Sequence, residues 1–266
     1  MHLPSVFNHV LVICCQAGEA IMQIYNEEDL GVSSKADNSP LTKADMAAHN
    51  VILAGLKVLT PDIPVLSEES ASVPWETRRQ WERYWLVDPL DGTKEFIKRN
   101  GEFTVNIALI ENGEPVLGAV YVPVQDILYC GMRDGGAWKI AAGQQERITV
   151  ARLDPAQTTL RVVASRSHRG EVLDAWLAKI QTRYSNLELV SMGSSLKICL
   201  LAEGLADVYP RLAPTSEWDT AAAQAVLEAA GGVLVDEAGK PYRYNQKADL
   251  LNPFFFALGD PQFDLT

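Results

Sequence analysis

Two carboxylates stand close together at the end of an apolar run that is predicted to be a buried strand. They are Asp88 and Asp91. Pro89 keeps Asp88 out of the helical region, and Gly92 permits the sharp turn that would hold both acids at the carboxyl edge of a sheet. Hard divalent cations prefer oxygen ligands, so the two carboxylates and the Leu90 carbonyl between them are candidate metal ligands.

The same acids also have a structural interpretation, an Asp-Pro turn in which Asp91 caps a helix. Further acids favour the metal site. Glu68 and Glu69 close another short apolar strand, where adjacent carboxylates are costly unless a cation pairs with them. Asp219 begins a helical run and, taken alone, is typical of a helix N-cap. Acids at several strand or helix ends together indicate a two-metal hydrolytic site.

Helices followed by a largely antiparallel sheet are predicted for the chain up to residue 150. Apolar residues at helical spacing indicate a helix over 6–25, and a capping pattern that includes Asp45 begins a second helix that reaches residue 59. The alternation of apolar runs and turn residues predicts strands and hairpins after it. The predicted strands are 64–67 and 84–87, followed by a hairpin of 103–110 with 115–122 and a hairpin that turns at 134–136.

The rest of the chain alternates strands with helices, which indicates a second α/β unit. The sequence therefore predicts an α/β protein with two parts. An N-terminal α+β subdomain over 1–155 carries the metal-binding motifs, and a C-terminal α/β subdomain over 156–266 completes the active site. The predicted C-terminal elements are strands 160–165, 187–191, 206–209 and 232–235 and helices 171–180, 195–202 and 220–230.

Composition limits the class of partner. The chain has 266 residues, of which 47% are apolar, so it can bury a sizeable core. It has 23 Lys and Arg residues against 34 Asp and Glu residues, a net charge of −11. That balance argues against a protein that binds a nucleic acid polymer by neutralising many phosphates. A small phosphorylated ligand is compatible with it, because metal ions can reverse the field in one pocket.

Cysteine usage and hydropathy indicate the compartment. The four cysteines form no C-x-x-C pair and resemble no secreted disulfide framework, so we expect a reduced, cytoplasmic protein. The N-terminus lacks the basic region of a signal peptide. No apolar run is expected to reach the ~20 residues that span a bilayer, and the stripe of 6–25 is interpreted as core-facing. Peripheral association with the inner face of the cell membrane, and the choice between monomer and homodimer, stay open.

Three motifs, in their order and spacing, make the chain similar to the inositol monophosphatase superfamily of Mg²⁺-dependent, lithium-sensitive phosphatases. The motifs are Glu68-Glu69-Ser70, Asp88-Pro89-Leu90-Asp91-Gly92-Thr93 and Trp218-Asp219-Thr220-Ala221-Ala222. Within that superfamily, residues 34–40, 92–97 and 193–197 resemble the 3′(2′),5′-bisphosphate nucleotidases of CysQ type. The resemblance implies a layered αβαβα sugar-phosphatase-like fold. It also implies hydrolysis of the 3′-phosphate of adenosine 3′,5′-bisphosphate to AMP and phosphate, a step linked to sulfate assimilation.

The resemblance also implies the site residues, with two or three Mg²⁺ ions in each active site. Thr93 and Asp45 would orient the attacking water, and Glu69 would support Glu68. The implied metal ligands are Glu68, Asp88, the Leu90 carbonyl, Asp91 and Asp219. The implied catalytic residues are Glu68, Asp88, Asp91, Thr93 and Asp45. The implied substrate contacts are Glu68, Leu90, Asp91, Gly92, Thr93, Gly193, Ser194, Ser195, Arg211 and Asp219.

Arg211 distinguishes this chain from the inositol enzymes that it resembles. Those enzymes place a glutamate here, which suits a neutral polyol but would repel a second phosphate. An arginine can instead bind a phosphate through paired, charge-assisted hydrogen bonds. We therefore expect Arg211, with Lys197, to bind the 5′-phosphate that does not react. The alternative interpretation is an exposed arginine at a strand end.

Other functions remain compatible with the sequence. The same metal site would serve an inositol or sugar phosphate monophosphatase, and a catalytically silent nucleotide-binding regulatory protein could retain the acids. The cluster of Arg166, His168 and Arg169 is typical of a solvated basic turn, with contact to a phosphate or adenine as the alternative.

Overall fold

The computed structural model describes residues 3–34, 40–164 and 170–265. Residues 35–39 of the nucleotidase-like motif therefore lie outside the described residues, as do Arg166, His168 and Arg169.

The described residues form layers in the order helix, sheet, helix, sheet, helix, which confirms the predicted αβαβα fold. The helices are α1 (Leu3–Tyr25), α2 (Lys43–Leu59), α3 (Trp75–Arg78), α4 (Thr93–Ile97), α5 (Glu171–Ile180), α6 (Leu196–Ala202) and α7 (Ala221–Ala229). The strands are β1 (Ser33–Ser34), β2 (Pro40–Leu41), β3 (Val65–Ser67), β4 (Arg83–Asp91), β5 (Thr104–Glu111), β6 (Glu114–Val122), β7 (Ile127–Met132), β8 (Gly136–Ala141), β9 (Gln144–Ile148), β10 (Thr159–Ala164), β11 (Asn186–Ser191), β12 (Val208–Arg211), β13 (Val233–Asp236) and β14 (Phe255–Leu258).

The sheet of the N-terminal part consists of β3 to β9 in chain order. Only its first pair, β3 with β4, is parallel within the described residues, so the prediction of a largely antiparallel sheet is confirmed. Asn112 and Gly113 turn the first hairpin with positive φ angles of 52° and 79°. A two-residue turn of this kind matches the twist of the flanking strands, which is why Asn-Gly predicts it.

Helix α1 is long and apolar enough to cross a membrane, judged by length and composition alone. The expectation that no segment reaches this length and hydropathy is therefore wrong for α1. Among the described residues, no other helix meets the same two conditions. The apolar stripe of α1 nevertheless packs as predicted. Val10, Cys14, Ala17 and Ile21 are fully buried against α2 and the N-terminal sheet. The core helix of a globular domain has this composition for the same reason, because one face lies in the interior.

Helix α7 packs on the other face of the N-terminal sheet at very short range. A Cβ at Gly118 of β6 would lie 2.1 Å from the carbonyl oxygen of Ala222, so only glycine permits this approach. The close contact fixes the start of α7 against the sheet. It therefore also fixes the position of Asp219, which immediately precedes that helix.

The sheet of the C-terminal part has the strand order β11-β10-β12-β14-β13 within the described residues. The alternating strands and helices are confirmed, but the sequence analysis missed β14. This strand lies antiparallel between β12 and β13, so the sheet is mixed rather than parallel throughout. The other strands of this sheet are predicted because they alternate with helices. The phenylalanines of β14 have no helix beside them in sequence, so that pattern does not identify this strand.

Candidate active site

Three acids from two separate parts of the chain meet between the sheets. Asp88 and Asp91 lie at the end of β4, and Asp219 ends a short 3₁₀ turn, Glu217–Asp219. One carboxylate oxygen from each lies within 4.8 Å of the other two. Carboxylates at this separation repel one another strongly unless a cation or a proton lies between them. The sequence prediction that these acids converge is confirmed.

Strand β4 brings its two acids to the same place because it is irregular there. Asp88 pairs with Asn106 of β5 and Asp91 with Thr104, and the register shifts between them. The strand thus continues to Asp91 instead of ending at Asp88 as predicted. The Leu90 N–H donates to Asp88 Oδ1 over 3.0 Å, which holds that carboxylate against the irregular segment. A bulge of this kind redirects side chains, and such irregularities are common beside active sites.

Gly92 is required by the turn that follows. Its φ is +94°, and a Cβ there would lie 2.3 Å from Ser194 Oγ. Helix α4 begins directly after it, and Gly92 rather than Asp91 occupies the N-cap position, without a side-chain hydrogen bond. The interpretation of Asp91 as a helix cap is therefore wrong. Its carboxylate instead accepts hydrogen bonds from Ser195.

Asp219 caps its own 3₁₀ turn and not the long helix after it. Its Oδ2 accepts a hydrogen bond of 2.8 Å from the Ser216 N–H, and the N-cap of α7 is Thr220. The interpretation of Asp219 as the cap of the following helix is therefore corrected. One oxygen holds the turn, and the carboxylate still lies beside Asp88 and Asp91. The residue is thus both structural and available to the cluster.

Glu68 lies next to the cluster. It begins the 3₁₀ turn Glu68–Ser70 at the end of β3, and it hydrogen-bonds to the carboxyl group of Asp88. Burial raises the pKa of Asp88 well above its ordinary value, and the charges of Glu68, Asp91 and Asp219 raise it further. Burial, followed by the charge of Asp91, raises the pKa of Asp219 to about 8. The cluster is therefore poised to bind cations or protons.

Thr93 and Asp45 are brought together across the chain, as expected. Thr93 Oγ1 donates to Asp45 Oδ1 over 3.3 Å and lies 3.5 Å from the Leu90 carbonyl oxygen. The other oxygen of Asp45 accepts the N–H and the hydroxyl of Thr42 at 2.7 and 2.6 Å, which forms the predicted capping box of α2. The capping and functional interpretations of Asp45 are thus compatible, because each uses a different oxygen.

The loop 193–195 closes over the acids from the C-terminal part. A Cβ at Gly193 would lie 2.8 Å from the carbonyl oxygen of Glu102. The Ser194 hydroxyl lies 2.9 and 2.7 Å from the carbonyl oxygens of Asp91 and Glu102 and can donate its proton to either. The Ser195 hydroxyl lies 2.8 Å from Asp91 Oδ2 and 2.8 Å from the backbone carbonyl oxygen of Asp219. The hydroxyls of Ser194 and Ser195, two of the residues predicted to contact substrate, are thus engaged with the protein itself.

Beside the acids, a cleft of about 150 Å³ is lined by a pair of cations. Lys197 and Arg211 both line it and are only 8% and 9% exposed. The Lys197 ammonium donates to the Ser194 carbonyl and Arg211 Nη2 to the Pro214 carbonyl, at 2.8 and 2.9 Å, while Arg211 Nε has no partner among the described residues. The interpretation of Arg211 as an exposed arginine is therefore wrong. The two cations face the same cleft as Asp91.

Asn106 is a residue of the site that the sequence analysis missed. It is 1% exposed, and its amide lies within hydrogen-bonding distance of Ser195 and Asp91. It stands in an apolar strand without any motif around it. The antiparallel pairing of β4 with β5, which places Asn106 opposite Asp88, was the one signal that could have identified it.

The acid cluster predicts how the stability of the metal-free protein depends on pH. The pKa of Asp219 rises from 3.8 to about 8 on folding, and that of Asp88 rises as well, so the folded state holds protons that the unfolded state releases. Their contribution to the free energy of unfolding is therefore largest near pH 4 and is lost as the pH rises towards 8. We expect the melting temperature in EDTA to fall by ~2–4 °C or more between pH 5.5 and 8.

Calorimetry with and without Mg²⁺ checks this expectation. Saturating Mg²⁺ should raise the melting temperature most at pH 8, where the acids are ionised and the cation replaces the protons. The Asp219→Asn variant is the matched comparison, because it removes one titrating group and should flatten the profile in EDTA. A wild-type melting temperature that rises from pH 5.5 to 8 in EDTA, with no response to Mg²⁺, would contradict the interpretation.

Known proteins similar to this chain are phosphatases, which agrees with the acid cluster and the cleft described above. The profile of the inositol monophosphatase family matches residues 5–253. The 3′(2′),5′-bisphosphate nucleotidase CysQ of Escherichia coli K12 is 52% identical over 251 residues, which cover 94% of this chain and 98% of that protein. The nucleotidase CysQ of Haemophilus influenzae is 37% identical over 97% of this chain and 94% of that protein. The crystal structure of CysQ from Bacteroides thetaiotaomicron superposes with a TM-score of 0.83 at 46% identity, covering 94% of this chain and 95% of that one.

Proposed function

This chain belongs to the inositol monophosphatase family, and from that premise we propose that it is a Mg²⁺-dependent 3′(2′),5′-bisphosphate nucleotidase. Its reaction is hydrolysis of the 3′-phosphate of adenosine 3′,5′-bisphosphate to AMP and phosphate, as a clearance step linked to sulfate assimilation. The chain is 52% and 37% identical to two such nucleotidases over 94% and 97% of its length, and this similarity supports the reaction. The observation that carries the substrate assignment is one cleft with acids at one end and two buried cations beside them.

The cations favour a substrate with a second phosphate. Lys197 and Arg211 form no ion pair within 4.0 Å among the described residues. Burial, more than the charge of Arg211, lowers the pKa of Lys197 to about 8. Buried, unpaired cations are costly, and a dianionic phosphate would offset that cost. A phosphate bound here leaves a second phosphate of the same nucleotide to reach the acids.

The same observation weighs against the alternatives. An inositol monophosphatase has no second phosphate to neutralise Lys197 and Arg211, which donate to backbone carbonyls but form no ion pair with a carboxylate within 4.0 Å among the described residues. A catalytically silent binding protein needs no converging carboxylates, whereas Asp88, Asp91 and Asp219 all converge here. A bisphosphate nucleotidase therefore explains both the converging acids and the two buried cations of the cleft.

The donor set fits a hard divalent cation. The cluster offers carboxylate oxygens within 4.8 Å of one another, Glu68 lies beside it, and the Leu90 carbonyl lies 3.5 Å from Thr93 Oγ1. We propose that Glu68, Asp88, Leu90, Asp91 and Asp219 hold two or three Mg²⁺ ions, which would activate water and stabilise negative charge on the leaving 3′-oxygen. Without cations, these acids would repel the phosphate of the substrate.

The chain itself supplies the orientation of the water. Thr42 holds one oxygen of Asp45, so the carboxylate cannot rotate, and the other oxygen accepts the Thr93 hydroxyl. Thr93 Oγ1 can therefore accept a proton from the attacking water as it passes its own proton to Asp45 Oδ1. Gly92 and the backbone of Gly193 and Ser194 complete the wall against which the phosphate lies. Direct attack by water requires no phosphoenzyme.

Phosphate-release kinetics test the proposed function. We expect Mg²⁺-dependent turnover of adenosine 3′,5′-bisphosphate, with kcat/KM at least ~10-fold above that on inositol 1-phosphate and fructose 1,6-bisphosphate, because only the nucleotide presents its second phosphate to the cations. Equal or higher activity on inositol 1-phosphate would contradict the nucleotidase assignment. Mg²⁺-independent hydrolysis would contradict the metal site.

Lithium is a further arm of the same assay. We propose that Li⁺ inhibits in competition with Mg²⁺, as the family resemblance implies, whereas Na⁺ at equal ionic strength inhibits much less. Equal inhibition by the two salts would mean that both only screen a charged substrate.

We also propose that the enzyme works in the cytoplasm. All four cysteines are free thiols, and three of them, Cys14, Cys130 and Cys199, are buried. A reducing compartment keeps thiols in this state.

A further inference from the structure

Asn106 is a buried residue of β5 that hydrogen-bonds to Ser195, and Ser195 in turn hydrogen-bonds to Asp91 of the acid cluster. The side-chain Nδ2 donates to Ser195 Oγ over 2.9 Å and lies 3.5 Å from Asp91 Oδ2. Asn106 is 1% exposed and Ser195 3% exposed, so neither side chain is open to solvent. Asn106 also pairs with Asp88 across the β4–β5 ladder. Asn106 is thus connected to both acids of β4, to Asp88 through the backbone ladder and to Asp91 through its side chain.

Ser195 connects the two parts of the chain that supply the acids. Its N–H and its hydroxyl lie 2.6 and 2.8 Å from Asp91 Oδ2, and the hydroxyl lies 2.8 Å from the carbonyl oxygen of Asp219. Asp91 belongs to the N-terminal sheet, whereas Asp219 precedes α7. The hydroxyl has one proton and donates it to one of these two oxygens at a time, while the N–H holds Asp91, so Ser195 lies between two acids that no local hydrogen bond joins.

These contacts use only one oxygen of Asp91. Asp91 Oδ2 accepts from Ser195, so Oδ1 is not engaged by Ser195. The Oδ1 of Asn106, in contrast, is buried without a partner among the described residues. An apolar side chain of similar size would avoid that unpaired oxygen, so packing alone does not favour asparagine at this position.

We infer that Asn106 and Ser195 are positioning residues, which hold Asp91 and Asp219 at the separation that binds divalent cations. The inference rests on the proposed metal-dependent function and extends it to residues that touch neither metal nor substrate. The inference assigns Ser195 this role in place of the predicted substrate contact, because its hydroxyl lies 2.8 Å from Asp91 Oδ2 and 2.8 Å from the carbonyl oxygen of Asp219. Groups that orient metal ligands control metal affinity, and their loss weakens it by about 10- to 100-fold.

Binding of Mn²⁺ to the substrate-free protein tests the inference directly. Mn²⁺ prefers the same oxygen ligands as Mg²⁺, and electron paramagnetic resonance measures the free ion. We expect Asn106→Leu and Ser195→Ala each to raise the Kd for Mn²⁺ about 10- to 100-fold. We expect the melting temperature of Asn106→Leu in EDTA to equal or exceed that of the wild type. The double variant should bind no more weakly than the weaker single variant, because both act through the same oxygen of Asp91.

Tyr84→Phe is the matched control, because the Tyr84 hydroxyl is also buried without a described partner, whereas Tyr84 does not line the cleft beside the acids. It should leave the Kd for Mn²⁺ unchanged. An unchanged Kd in Ser195→Ala together with a raised KM would show Ser195 to be a substrate contact and would overturn the inference. Additive effects in the double variant would overturn it as well. If Asn106→Leu does not fold, Ser195→Ala alone decides.

Failure of the proposed function is distinguishable from failure of this inference. Wild-type protein that binds Mn²⁺ but releases no phosphate from the bisphosphate would contradict the function. In that case, a higher Kd for Mn²⁺ in both variants than in the wild type would still support the positioning role. Wild-type protein that binds no Mn²⁺ would overturn both.

Discussion

Asp91→Asn is expected to lower kcat/KM on adenosine 3′,5′-bisphosphate about a thousandfold, which corresponds to a loss of ~4 kcal/mol of transition-state stabilisation. Asparagine has the shape of aspartate, and its oxygen can still accept the two hydrogen bonds from Ser195. Its NH₂ group would then face Asp88 and Asp219, where a cation needs a carboxylate oxygen. The fold should therefore be retained while the metal affinity is lost.

The stability of the same variant supplies an independent measurement. Removing one charge from a repelling cluster should raise the melting temperature in EDTA and reduce its response to Mg²⁺. Asp134→Asn is the matched control, because it makes the same chemical change in an exposed turn whose φ of 61° asparagine tolerates. Near-normal turnover of Asp91→Asn at modest Mg²⁺ concentration would contradict the assignment of Asp91 as a metal ligand.

Arg211→Ala is expected to change the preference for the second phosphate. A charge-assisted contact to phosphate contributes ~1.5–3 kcal/mol, so kcat/KM on adenosine 3′,5′-bisphosphate should fall about ten- to a hundredfold. The loss should nearly vanish on adenosine 3′-monophosphate, which has no 5′-phosphate. Steady-state kinetics on both substrates measure the difference.

Two further variants sharpen that result. Arg211→Lys keeps the charge but loses the planar fork, so its loss on the bisphosphate should be intermediate. Arg79→Ala removes an arginine whose side chain is 52% exposed, and it should affect neither substrate. An equal loss on the two substrates in Arg211→Ala would mean that Arg211 does not bind the 5′-phosphate.

Much of the fold could be predicted because local patterns encode local elements. The helical spacing of apolar residues identified α1, and the capping pattern at Thr42 identified the start of α2. The Asn112–Gly113 turn identified the first hairpin, since it depends on two residues only. Strand β14 was missed because its place between β12 and β13 is decided by long-range pairing.

The sequence by itself determined which acids and which cations the protein possesses, and motif spacing was enough to predict that the acids converge. Only the tertiary structure decided how each side chain is used. The packing of the two sheets puts the Ser195 hydroxyl on Asp91 and Asp219, buries Arg211, and gives Asn106 its place behind the cluster. Ser195 is 104 positions from Asp91, 89 from Asn106 and 24 from Asp219, so no local propensity encodes these contacts. The close packing of α7 on Gly118 brings the C-terminal part against the N-terminal sheet, in which β4 supplies Asp88 and Asp91.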